Sequence, residues 1–392
     1  MKMRQVIFSI IFTVVILGCK EKDVLSDRVP SIIDVGSQGS TGQSFSEYVE
    51  GFRFIELKGM DIADFINKVN KVEYYKEEYF VLDKGKSNVL VFNLDGEFVR
   101  KIGKRGNGPG EYKNVSDFII NKAQNTIILL SSNNLGYFVY STNGDFMKKK
   151  RFSDFYPKRI GLINDETYVF YTGYASDYNK DLIYTNLDGK IVAKKFDYPE
   201  DIDKMAFDFS GGVKSVGNKT FYTQVASSKI YELDKGLNAH LKYQVKFKNK
   251  TWSEAEKFEL FKFSRELRKM DLTYLGTSYF ENESIFLFDY TDKNREKKGF
   301  FNFKKKNLYT SDSFNNDGIL RLFHNVVGTS EDNVFLSVFN PQYYNPIKKK
   351  YKGFEEGVEK ISKEFHKILS GSDKKDESNQ YLLIYKLNLG EK

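Results

Sequence analysis

Cysteine is almost absent from this 392-residue chain: Cys19 is the only one. No intrachain disulfide can form, the domain that follows has no thiol nucleophile, and stability must come from the core. Histidine is nearly as scarce. His240, His324 and His366 include no pair at the i, i+4 spacing of a metal-binding helix. No Gly-x-Ser-x-Gly elbow marks an activated serine, and no Asp-rich loop clusters the oxygen ligands that calcium needs. Proline numbers 6. The longest apolar run, Val6 to Leu17, falls short of the roughly 20 residues that a spanning helix requires.

Aromatic residues are plentiful, with 35 Phe and 26 Tyr, and with so little proline this mix favours strands. Length alone suggests two or three domains. No polar linker divides the middle of the chain, so one large repetitive β domain is the simpler account. The net charge of +8 is a mild excess. The lysine runs Lys148–Lys150, Lys304–Lys306 and Lys348–Lys350 read as solvated turns and protected sheet edges, and no nucleic-acid partner is expected.

The start of the chain reads as an address. Lys2 and Arg4 precede the short apolar run, which predicts a signal peptide over residues 1–18. Ile16-Leu17-Gly18-Cys19 resembles the lipobox of bacterial lipoproteins, so Cys19 is the expected lipidation site. Residues 19–48 are Ser/Gly-rich and polar, and are expected to form a lipidated flexible tether. Glu21 and Asp23 resemble a surface-export signal.

From residue 49 onward the chain repeats. An apolar strand runs into a turn at Val91-Phe92-Asn93-Leu94-Asp95-Gly96, Val139-Tyr140-Ser141-Thr142-Asn143-Gly144, Tyr184-Thr185-Asn186-Leu187-Asp188-Gly189 and, worn, Tyr231-Glu232-Leu233-Asp234-Lys235-Gly236. The copies start 48, 45 and 47 residues apart, the period of a four-stranded propeller blade. Asp95-Gly96 reads as a two-residue hairpin turn. Fainter copies lie at Phe300 to Leu308 and Leu382 to Asn388.

Innermost strands are expected near 68–75, 114–121, 156–163, 204–212, 272–280 and 319–327. Two helical inserts fill the longer gaps. One spans 251–270, with a capping box at its start. The other spans 354–370, with Gly371 placed as a C-cap. The last blade is one strand short, and Gly51–Leu57 is predicted to complete it and so close the ring. The expected fold is therefore all-β, a six-bladed β-propeller over 49–392 with two helical insertions, closed by its N-terminal strand.

The glycine-rich run Gly103, Gly106, Gly108, Gly110 is not a phosphate cradle. It misses the G-x-G-x-x-G spacing, and a strand rather than a helix follows it. It reads as a loop between blades.

Within residues 50 to 140 stand Phe54-Ile55-Glu56-Leu57, Phe80-Val81-Leu82-Asp83, Val91 to Gly96 and, above all, Ile102-Gly103-Lys104-Arg105-Gly106-Asn107-Gly108-Pro109-Gly110-Glu111-Tyr112. In these runs the chain resembles the six-bladed β-propeller lipoproteins of Bacteroidota, relatives of the NHL-repeat propellers. The resemblance implies the fold and a lipid-anchored place in the envelope, outer membrane included. It carries over no catalytic residue.

The expected role is thus a binding or scaffold protein with no cofactor and no metal. Its partners are the membrane, through the lipid, and an envelope protein, glycan or peptide. Lys84, Lys86, Lys104 and Arg105 are predicted to make one loop face basic, with His324 on a strand lining the channel. The alternative is a propeller hydrolase or lyase with its site in the channel. For that reading Glu73, Asp117, Asp208 and Asp271 are the inward carboxylate candidates.

Overall fold

Runs such as Val89–Phe92 and Ile127–Leu130 are buried along their whole length. Such strands are covered on both faces, as happens when sheets pack side by side around an axis. The computed structural model describes residues 29–36, 40–59, 66–200, 211–248, 273–293, 295–330, 333–371 and 380–389. In it, six antiparallel sheets form the blades of a propeller.

After β1 (Ser31–Asp34) and β2 (Val49–Leu57), blade one comprises β3 (Val69–Tyr75), β4 (Glu78–Asp83), β5 (Asn88–Phe92) and β6 (Phe98–Lys101). A short parallel pair, β7 (Lys104–Arg105) and β8 (Glu111–Tyr112), leads to blade two. That blade is β9 (Asp117–Asn121), β10 (Thr126–Ser131), β11 (Gly136–Ser141) and β12 (Phe146–Arg151). Blade three is β13 (Arg159–Asn164), β14 (Thr167–Tyr171), β15 (Lys180–Asn186) and β16 (Ile191–Asp197). Blade four is β17 (Gly212–Val216), β18 (Lys219–Thr223), β19 (Lys229–Leu233) and β20 (Ala239–Lys246). Blade five is β21 (Thr273–Glu281), β22 (Ile285–Asp292), β23 (Arg295–Asn302) and β24 (Asn307–Thr310). Blade six holds β25 (Val326–Thr329), β26 (Phe335–Phe339) and β27 (Gln380–Leu387).

The predicted closure is present. β2 pairs antiparallel with β27, Phe54 opposite Leu383 and Ile55 opposite Leu382, and becomes the outermost strand of blade six. The first and last strands of the domain thus satisfy each other's backbone groups. The apolar core lies between the blades: Phe80, Leu82 and Val91 of blade one, for example, share a cluster with Phe118, Ile120 and Leu129 of blade two.

The tether expectation is overturned at Ser31–Asp34 and Phe45–Tyr48, while 19–28 and 37–39 lie outside the described residues. β1 joins blade four as a fifth strand, parallel to β20, with Ile33 opposite Val245 and only 1% exposed. A 3₁₀ turn over Phe45–Tyr48 follows, and Phe45 is fully buried among Phe300, Phe314 and Phe323. Polar composition hid one buried residue in four, enough to seat a short edge strand.

The insert expected over 354–370 is not one helix. The chain forms α1 (Tyr344–Lys350), α2 (Phe354–Ile361) and α3 (Lys363–Gly371). Ser362 between the last two is extended. Its hydroxyl accepts from the N–H of Phe365 at 3.1 Å, which makes it the N-cap of a new helix. Gly371 is the last residue of α3 rather than a cap beyond it. Phe354, Val358, Phe365 and Leu369 nevertheless bury the expected apolar face. The 251–270 insert lies outside the described residues.

One inner strand starts later than expected, and one is described only in part. In blade four the strand is Gly212–Val216, with 201–210 outside the described residues. In blade six Ile319–Arg321 is a 3₁₀ turn, led by Asp317 accepting from the Ile319 N–H at 3.0 Å, and the strand begins only at Val326.

The Asp95-Gly96 turn also differs from the two-residue form. Gly96 N–H donates to the Asn93 carbonyl and Asn93 N–H to the Glu97 carbonyl, with Gly96 at φ +78°. That is a three-residue loop closed by a glycine bulge. In the worn fourth copy the turn slides by one residue, so Leu237 rather than Gly236 takes the positive φ.

A candidate ligand cavity at one end of the channel

The inner strands β3, β9, β13, β17, β21 and β25 run the same way around the axis. One end of the channel is formed by their starts together with the second-to-third strand turns of each blade. The other is formed by their ends and the turns that follow. A cavity of about 620 Å³ opens at the latter end, within the range of small-ligand sites. Every blade lines it through the second half of its inner strand. Contributions include Tyr74, Ile120, Asn164, Lys214, Phe280 and Thr329.

The charges within are mostly matched. Lys71 of β3 lies 2.9 Å from Glu73 and 3.4 Å from Asp117 of β9, and donates to the Phe118 carbonyl at 2.5 Å. Burial opposes the charge on Lys71, but Asp117 and Glu73 outweigh it and hold its pKa above the usual value. Burial likewise pushes Asp117 up, yet Lys71, Arg159, Lys84 and the Ile160 N–H together hold it below the carboxylate range. At the rim, Glu281 receives Lys219 at 2.5 Å, Tyr243 at 2.6 Å and Lys242 at 3.0 Å. There too burial is overcome, first by Lys219 and then by Tyr243 and Lys242, and the Glu281 carboxyl stays low.

Lys214 is different. Its amine stands 3.3 Å from the centroid of the Phe280 ring. Burial, and then the like charge of Lys71, pull its pKa well below the ordinary lysine value. Among the described residues, it is the one partly buried charged side chain of the cavity wall without an ion-pair partner.

The sequence-predicted residues gather at the opposite end. Lys84 and Lys86 sit in the β4–β5 turn, where the Asp83 carboxylate accepts from the N–H groups of Asn67 and Lys86. Lys104 and Arg105 are in β7, on the loop leaving blade one, and Lys104 pairs with Glu111 at 2.9 Å. His324 is not on a strand: it follows the 3₁₀ turn, two residues before β25, and its Nε2 is 3.7 Å from Glu296. His324 and then Lys298 and Lys68 hold the Glu296 carboxyl below its usual range against burial. So the five share an end of the propeller, but not the end that holds the cavity.

Of the inward carboxylate candidates, Glu73 lines the cavity, Asp117 sits at the start of β9 outside that lining, and both are committed to Lys71. Asp208 and Asp271 lie outside the described residues. The described residues hold no cluster of three His, Cys, Asp or Glu side chains placed to take a metal. Sequence reasoning passed over Lys214, which carries no local signal among the chain's many lysines.

The glycine-rich loop has a structural job. Glu111 turns back into it, accepting from the Gly108 N–H at 2.8 Å, and a Cβ on Gly106 would lie 1.9 Å from that carboxylate. Tyr140 of blade two donates to the Gly110 carbonyl, and Tyr112 to the Ile102 carbonyl at 3.1 Å. The motif stitches blade one to blade two.

A family model described as Domain of unknown function (DUF4934) matches residues 30–386. The chain belongs to this DUF4934 family. Among curated proteins nothing matches it. The DUF4934 chain is similar in structure to a Bacteroides fragilis protein designated as exported, with 17% identity and a TM-score of 0.75, over 92% of this chain and 100% of that one. It is also similar to a member of the DUF4221 family from Bacteroides vulgatus, with 8% identity and a TM-score of 0.56, over 87% and 97%. At such identities the likeness establishes a shared fold for the DUF4934 chain.

Proposed function

We propose that this DUF4934 protein is a lipid-anchored binding propeller of the bacterial cell envelope, kin to NHL-repeat propellers, and that it takes its ligand in the channel cavity. The observation that carries the reading is the 620 Å³ cavity itself, to which all six blades contribute polar and aromatic side chains. The basic leader, the short apolar run and Cys19 support the anchor, and the exported designation of the B. fragilis structure supports the envelope. The glycans and peptides of that compartment are the ligand classes of suitable size.

Ser31 pairs with Tyr243 and Asp34 with Lys246, parallel to β20, which runs from the cavity end toward the opposite end, so β1 starts at the cavity end. A Cys19→Ala variant should move from the detergent phase to the aqueous phase; a variant that stays with the membrane would refute the anchor.

Ligand uptake is tested by a ligand-observed NMR screen of glycans and peptides against the full chain and against Thr329→Trp, which places an indole in the cavity wall. Binding to the parent and its loss in a folded variant is the expected result. Ligands that bind both equally would remove the cavity from the account.

A further inference from the structure

Lys214 enters the cavity from β17, between Val213 and Ser215. Ser215 is engaged: its hydroxyl accepts from the Leu162 N–H at 3.0 Å and pairs with Thr220 at 2.9 Å. Among the described residues Lys214 has no such tie, and its amine lies over the face of Phe280. The carboxylates whose charge reaches it are Asp289 and Asp117. Asp289 is held by Lys298 at 2.5 Å and Asp117 by Lys71, so neither pairs with Lys214.

The other charges of the wall are either matched, as Lys71, Glu73, Lys219 and Glu281 are, or exposed to solvent, as Asp165, Lys235 and Glu283 are. A partly desolvated ammonium facing another cation is costly unless an anion compensates it. The aromatic face under it adds attraction but no counter-charge. The cavity in front of it is large enough to admit that anion.

We propose that Lys214 anchors a carboxylate of the channel's ligand, so that the site takes acids in preference to their neutral analogues. The proposal rests on the channel reading above and names the ligand class. Asn218 in the wall supplies an amide donor and acceptor for the hydroxyls or amides of the rest of such a ligand. An acidic sugar and a peptide C-terminus offer the same carboxylate.

The test uses two matched pairs, D-galacturonate with D-galactose and N-acetyl-Phe-Gly with its amide, titrated by NMR into the full chain carrying Cys19→Ala. At least one acid should bind ten-fold or more tightly than its neutral partner, and whichever pair responds identifies the source. Lys214→Met should abolish that preference and Lys214→Arg should retain it, while Lys104→Met at the other end leaves it unchanged. Without ligand, Lys214→Met should raise the urea midpoint, because it removes an uncompensated ammonium. Acids and neutral partners binding alike in both parent and Lys214→Met would overturn the proposal and leave the cavity reading intact. Binding of none of the four probes would count against both. A Lys214→Met protein less stable than the parent would make the lysine structural and overturn the proposal.

Discussion

The Lys71 amine of blade one lies 3.4 Å from the Asp117 carboxylate of blade two, and Asp117 in turn accepts from the Ile160 N–H of blade three at 3.2 Å. One buried ion pair thus joins three inner strands. Removing one partner strands the other in a low-dielectric setting, so Lys71→Met should lose on the order of 3 kcal/mol of stability. The double variant Lys71→Met/Asp117→Leu should recover part of it. Urea denaturation of both proteins checks this; equal stability of parent and single variant would show the pair to be idle.

Acid should weaken the fold through the same groups. Asp117 and Glu281 are held below their ordinary carboxylate range, so the folded state binds fewer protons than the unfolded one. Their stabilisation is present above the unfolded pKa near 4, and is lost as pH falls through the folded values. Asp289 acts in the opposite sense, because burial raises it despite Lys298. Thermal melts between pH 7 and 3 should decline on the acid limb, and Glu281→Gln should flatten that limb.

Ring closure depends on aromatic packing as well as on the β2–β27 ladder. Phe54 of β2 lies 4.7 Å, ring to ring, from the fully buried Phe365 of α3. Phe365→Ala should cost about 3–5 kcal/mol. Deleting Gly51–Leu57 also bares the edge of β27, and should cause unfolding or aggregation on size-exclusion chromatography. A truncated protein that melts like the parent would contradict the closure.

Two seams between blades are open to single substitutions. Gly96 has φ +78° and a Cβ there would lie 2.1 Å from the Glu56 carbonyl oxygen. Its own carbonyl accepts from the Lys58 N–H at 2.9 Å. Gly96→Val should therefore loosen the junction of blades six and one and lower the melting temperature, an effect visible as faster hydrogen exchange at Lys58 and Phe98. Tyr140→Phe removes the donor to the Gly110 carbonyl and should cost about 1–3 kcal/mol.

Much of this fold was legible, because burial on both faces leaves a strong trace. Phe80–Leu82 and Val89–Phe92 could only be blade strands, and the incomplete last blade pointed to Gly51–Leu57. The β1 strand was not legible, since Ile33 alone is buried in an otherwise polar run. Ser362 split the predicted helix because a serine can cap as readily as it can continue, and the choice depends on packing. The basic loop residues were placed on a common end by strand direction alone. Which end holds a cavity depends on how six distant inner strands fill the axis, and no local pattern encodes that. Lys214 became visible only when Phe280, Lys71 and the commitments of Asp117 and Asp289 were seen together.

The most direct test of the ligand cavity is a comparison of two photo-crosslinking residues in the native envelope, one replacing Asn218 at the cavity rim and one replacing Asn133 in the turn at the opposite end. The account predicts a discrete crosslinked species at position 218 that disappears when Thr329→Trp is added, and none at 133. Crosslinking at 133 alone would move the functional surface to the basic loops and contradict the cavity.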